Sequence, residues 1–216
     1  LGLANQLIPA GSSFDATGVL GFEFGGYEIW PTSLTVEPAE LIVPVRGRNR
    51  AEFTVGSLNV FRLFDDIDDE PDMTSQGRTR DDNSSTLDPH EYISRRSKVA
   101  RYIVNVLDAP DILSIQEVEK LEVLEDLGAE IAGLDPTISY SAYLEEGNDV
   151  GTIDVGFLVR DSVEVDAITQ LGKDEILDVD LSLLNDRPPL LLEGRVTEGG
   201  SNFPIAVIGV HNRSLG

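Results

Sequence analysis

The chain has 216 residues, enough to bury a sizeable core in one or two domains, and no apolar run is long enough to span a bilayer. Its 41% hydrophobic and 25% charged residues are an ordinary globular composition, and the absence of cysteine excludes disulfides, thiol catalysis and thiolate metal sites, so a metal must be held by oxygen or imidazole. A net charge of −23 suits solubility or a high-salt habitat; it repels nucleic acid and anionic membranes unless a local basic patch or a bound metal ion meets them.

The opening "LGLANQLIPAGSSFDATG" has no basic stretch followed by an apolar one, so no secretory signal is expected in it. From Phe14 to Arg46, aromatic and β-branched residues alternate under Gly and Pro punctuation. That pattern predicts short antiparallel strands with a turn at Gly25 and Gly26, the end of a small β-rich, OB-like domain over 1–46. Residues 47–50 read as a linker, and from 51 to 216 strands alternate with helices, an α/β texture. "EFTVGSLNVF" is the first strand of this part.

Between Asp65 and Asp88 there is hardly any apolar content, which predicts a mobile surface loop or insertion. Its acidic residues lack the alternating ligands and central glycine of an EF-hand, so no calcium site is expected there. His90 follows, exposed beside a helix start. The helix "EYISRRSKVARYIVNVLD" turns Ile93, Val99, Ile103, Val106 and Leu107 inward and leaves Arg95, Arg96, Lys98 and Arg101 on a solvated face. "DILSIQEV" reads as a buried strand and "EKLEVLEDLGAEIAGL" as a second helix with Leu121, Leu124, Leu127 and Ile131 inward. Further strands are expected at 140–144, 153–159, 190–196 and 205–210.

Three polar residues stand at or near the tips of apolar strands. Glu117 would lose hydration there unless a cation or strong donors met it, although a strand-end carboxylate facing water fits the spacing equally well. Asn59 has an amide that needs partners if buried. His211, the second of two histidines, can donate to a phosphoryl oxygen or carry a proton near neutral pH, or be structural.

The order of the pieces "SLNVFRLFD", "DILSIQEVE", "GTIDVGFLVR", "NDRPPLLLEGRV" and "IAVIGVHNRS", from Ser57 to Ser214, resembles the endonuclease/exonuclease/phosphatase superfamily, the metal-dependent phosphodiester hydrolases that include DNase I. Within it the chain looks most like the bacterial extracellular nuclease branch, in which a small β domain precedes the hydrolase. The resemblance implies a DNase I-like two-sheet α/β sandwich, of which these residues form the N-terminal half, and a secreted nuclease acting on DNA or RNA with Mg²⁺ or Mn²⁺. Phosphomonoester or phospholipid diester hydrolysis on the same scaffold, and a non-catalytic binding or structural fragment, are the alternatives.

By the same resemblance Glu117 would bind the metal, Asn59 would orient the metal or the scissile phosphate, and Gln116 would brace Glu117. Arg187 would contact substrate phosphate, and His211 would bind the scissile phosphate and assist transfer at the leaving oxygen. Asp154 lies in a matched strand without an assigned role. The family's later "GDFN" and "SDH" segments occur nowhere in the 216 residues, which implies that the second catalytic half lies beyond Gly216 or on another polypeptide.

Overall fold

The computed structural model describes residues 8, 12–23, 25–37, 43–49, 52–74, 76–82, 85–198 and 201–212. The chain divides into two compact units, Leu1–Val43 and Pro44–Gly216. In the first, β1 (Ser13–Glu23) and β2 (Gly26–Glu37) form an antiparallel hairpin, with Gly25 at φ +84°, a left-handed conformation that glycine adopts without steric cost.

The larger unit runs β3 (Val55–Leu63), β4 (Asp72–Met73), β5 (Thr79–Arg80), α1 (Pro89–Asn105), β6 (Ile112–Val118), α2 (Leu121–Leu134), β7 (Tyr140–Leu144), β8 (Asp154–Arg160), β9 (Val163–Gln170), β10 (Leu190–Glu198) and β11 (Ser201–Gly209). Its described strands make a four-stranded sheet ordered β3-β6-β8-β7, a three-stranded sheet ordered β11-β10-β9 and the small β4-β5 pair. The first sheet is mixed, with β3 parallel to β6 and the other pairs antiparallel. The second is antiparallel throughout its described strands.

Alternation along β6 and β8 builds the layers. Leu113, Ile115 and Leu158 face α1 and α2, joining Ile103, Leu124, Leu127 and Ile131 in one core. Ile112, Val155, Phe157 and Val159 point the other way and pack on Val163, Leu190, Leu192 and Val196 of the second sheet. Burying each such side chain contributes roughly 1.5–3 kcal/mol. The result is a mixed α/β sandwich of two sheets with both described helices outside the first. Gly209 permits the close approach of β11, since a Cβ there would lie 2.7 Å from Ser114 Oγ and 2.9 Å from Val155 Cγ1. Close approach at Gly209 carries His211, two residues on, toward the end of β6.

Two expectations are corrected. Ile93 is 54% exposed, because Tyr92, Ala100 and Ile103 define the inward stripe of α1, one position away from it. The acidic stretch is anchored: it contains β4 and β5, and Arg80 is only 4% exposed, paired with Asp154 and Glu146 at 2.8 Å each and with Asp72 at 3.4 Å.

Residues around the sequence-based linker are pinned to the larger unit. Arg48 donates to both carboxylate oxygens of Asp111 at 3.0 and 3.1 Å and to the carbonyls of Asp108 and Ala109.

Candidate active site

Glu117 is the extra residue of a β-bulge. Gln116 pairs with Val155 and Val118 with Asp154, so Glu117 has no partner across the ladder, and its φ is +62°. An extra residue re-aims the side chains around it. Gln116 therefore faces the inter-sheet layer while Val118, two residues on, enters the helix-side core. The neighbouring strand is irregular at the same height, with left-handed Phe61 and Arg62 between the paired residues Asn59 and Leu63. Such backbone costs on the order of 1–3 kcal/mol per residue and collects at functional sites.

The irregularities bring the predicted residues together. Asn59 Nδ2 donates to Glu117 Oε1 at 2.8 Å, and Asn59 Oδ1 accepts from the Phe61 backbone N–H at 2.8 Å, which fixes the amide's orientation. His211 Nε2 lies 3.4 Å from the same Glu117 oxygen. On the other side of the ring, His211 Nδ1 stands 3.5 Å from Arg187 Nη1. Guanidinium nitrogens only donate, so Nδ1 is the acceptor and the proton of the neutral ring sits on Nε2, toward Glu117. Burial pushes the His211 pKa down and Arg187 adds to the effect, against the opposing carboxylates of Glu117 and Asp149. Arg187 and His211 line a cavity of about 210 Å³ with Asn185, Asp186, Pro189 and Asn212.

Gln116 does not play the expected part. Its amide accepts from Ser57 Oγ at 3.2 Å and donates to Ser114 Oγ at 2.9 Å, on the inter-sheet side of the bulge, so any support for Glu117 passes through the backbone. Asp154 is 1% exposed and is engaged by Arg80 and the Gly147 N–H. It ties the acidic insertion to the sheet.

Two further residues belong here. Asp149 Oδ2 is 3.6 Å from Arg187 Nε and helps hold the guanidinium beside His211. Asn148, fully buried, donates to the carbonyls of Lys173 and Asn185 and so fixes the loop that leads into Arg187. In the sequence their only signal is "GND" within a polar stretch.

The donor set at Glu117 is one carboxylate, one amide and one imidazole. Such a set suits a hard divalent cation that keeps several waters and takes one or two carboxylates plus substrate phosphate oxygens. Among the described residues, the groups of three acidic ligands lie elsewhere, at Asp68, Asp81 and Asp82 and at Asp69, Asp82 and Glu119. Beside Asn59 the surface turns basic and aromatic: Phe61 is 77% exposed, Arg95 donates to its carbonyl, and Arg62 stacks 5.5 Å over the ring of Phe64.

No family model matches the chain, and no curated protein matches it. Among solved structures it is similar to TDP2 from Caenorhabditis elegans, at 24% identity over 60% of this chain and 33% of that one, with a TM-score of 0.35. It is similar to an endonuclease/exonuclease/phosphatase from Bacteroides vulgatus, at 12% identity over 72% of this chain and 50% of that one, with a TM-score of 0.39. An endonuclease/exonuclease/phosphatase family protein from Bacteroides thetaiotaomicron matches at 14% identity, over 72% of this chain and 50% of that one, with a TM-score of 0.38. The chain thus spans between a third and half of the length of these structures.

Proposed function

We propose that this chain carries part of the active site of a divalent-metal-dependent phosphodiester hydrolase of the DNase I-like endonuclease/exonuclease/phosphatase superfamily, and that the whole protein is an extracellular nuclease with a small β-rich domain ahead of the hydrolase. The observation that carries the reading is the continuous line Asn59–Glu117–His211–Arg187, in which a carboxylate, a neutral imidazole and a guanidinium follow one another at 3.4 and 3.5 Å. Glu117 would hold Mg²⁺ or Mn²⁺, which when bound polarises the phosphoryl group and neutralises charge building on the leaving oxygen. Asn59 keeps Glu117 oriented. Arg187 is placed to grip a phosphate oxygen from the cavity it shares with His211, as a planar guanidinium does well. The Nε2–H of His211 is a donor for a phosphoryl or leaving oxygen.

Polynucleotide is favoured over a small phosphoester because Phe61, Arg62 and Arg95 adjoin Asn59, and an exposed ring with flanking guanidiniums accepts a base and its phosphates. That patch would offset locally the repulsion expected from a net charge of −23. One carboxylate and one imidazole cannot hold a metal firmly, activate water and serve the leaving group together, so we assign turnover to the whole protein, with further residues supplied from outside this chain. Plasmid hydrolysis with Mg²⁺ or Mn²⁺ tests the reading. In the whole protein, His211→Ala and Glu117→Gln should each lower the rate by about 10²-fold or more, as loss of an acid–base or charge-stabilising group does. Undiminished rates in both variants would place the active site elsewhere.

A further inference from the structure

We infer a second cation site, for calcium, built by Asp69, Asp82 and Glu119 where the acidic insertion folds back over the end of β6. Ligand oxygens of these three residues all lie within 4.8 Å of one another. Glu119 supplies the independent sign of a ligand. The residue is 4% exposed; its Oε2 accepts from the Asp65 backbone N–H at 2.8 Å, and its Oε1 is buried with no hydrogen-bond partner. Asp82 is buried beside it, and two buried carboxyls held together repel unless a proton or a cation lies between them. The nearest cation, Lys120 Nζ, is 3.9 Å away, too far for a hydrogen bond, and is already committed to Asp65 at 3.0 Å and to Asp69.

The surroundings have room for the ion. Asp69, Asp72, Asp82, Glu119 and Lys120 border a cavity of about 310 Å³. A calcium ion there would take the free Glu119 oxygen together with Asp69 and Asp82, leaving Lys120 on Asp65, and water would complete a shell of six to eight oxygens. Calcium suits the site better than magnesium because its coordination is irregular and tolerant, and Asp69 and Asp82 come from a loop with only short strands. The ion would clamp that loop to the end of β6, two residues past Glu117.

Calorimetric titration of calcium into the metal-stripped chain tests this, performed in a Glu117→Gln background so that the proposed Mg²⁺ position cannot contribute. We expect saturable binding with Kd on the order of 10⁻⁶–10⁻⁴ M. Asp69→Asn and Asp82→Asn should each weaken it about tenfold or more, and calcium should raise the melting temperature of the parent but not of the variants. Asp69 is exposed, so its variant keeps the test valid if Asp82→Asn fails to fold. The site is overturned if the folded chain shows no saturable calcium binding, or if binding persists undiminished in both variants. Neither outcome bears on Glu117.

Discussion

Asp111 fastens three separate stretches of chain with one carboxylate. It accepts from the Thr54 backbone N–H at 2.9 Å, the Thr54 hydroxyl at 2.8 Å, the Ser162 hydroxyl at 2.8 Å and Arg48 at 3.0 Å. Burial alone would raise its pKa, yet these donors and the guanidinium outweigh burial and leave it below the ordinary value. A carboxylate depressed in the folded state adds stability above its unfolded pKa and loses that contribution as pH falls through the folded one. Asp111→Asn should therefore cost on the order of 2–4 kcal/mol at neutral pH, and urea midpoints of the two proteins should begin to converge below about pH 4 and meet only as pH falls through the depressed folded pKa. The same scale shows what a sequence can reveal about a site. Asn59, Glu117 and His211 were legible because each interrupts or ends an apolar strand, where a polar group needs a reason. Asn148 and Asp149 lie among polar neighbours, and the carbonyls and guanidinium they hold are contributed from residues 173–187. Nothing local marks them.

Among elements, β7 was legible at its exact bounds and β3, β6, β8, β10 and β11 at shifted ones; β6 and β8, with apolar residues on both faces, are buried between helices and the second sheet. β9 was missed because its alternation breaks: Gly194 pairs with Val165 while the adjacent Glu193 pairs with Ala167, so Asp166 is a bulge that shifts Ile168 out of step with Val163 and Val165. The acidic insertion was misread for a different reason. Composition counts each carboxylate as a solvated group, but Arg80 and Asp154 bury one another across 74 residues of sequence, a pairing no window can see. Arg80→Ala should accordingly destabilise the larger unit by about 3–5 kcal/mol, because it strips the buried Asp154 carboxyl of its cation and forces it to take up a proton or stay buried as an uncompensated charge. Chemical denaturation reads that loss directly. A change below about 0.5 kcal/mol would mean that the insertion is an ornament, since surface substitutions usually stay within that margin.

For the whole molecule, layering is what makes the candidate site. Neither sheet contains it: Asn59 and Glu117 come from the end of the first, His211 from beyond the last strand of the second, and Arg187 from the loop before β10. The α/β texture was visible in the order of apolar runs, but which strand ends would meet depends on face-to-face packing, including the glycine contact at Gly209. With only two histidines in the chain, magnetic resonance isolates that meeting point. In a chain carrying Asp69→Asn and Asp82→Asn, so that the second cation site cannot contribute, adding Mn²⁺ should broaden the imidazole resonances of His211, and introducing Glu117→Gln should restore their sharpness, because the ion would sit on the carboxylate that His211 Nε2 faces at 3.4 Å. If His211 stays sharp while Glu117 is present, or broadens equally without the Glu117 carboxylate, Glu117 does not hold the metal and the proposed active site is wrong.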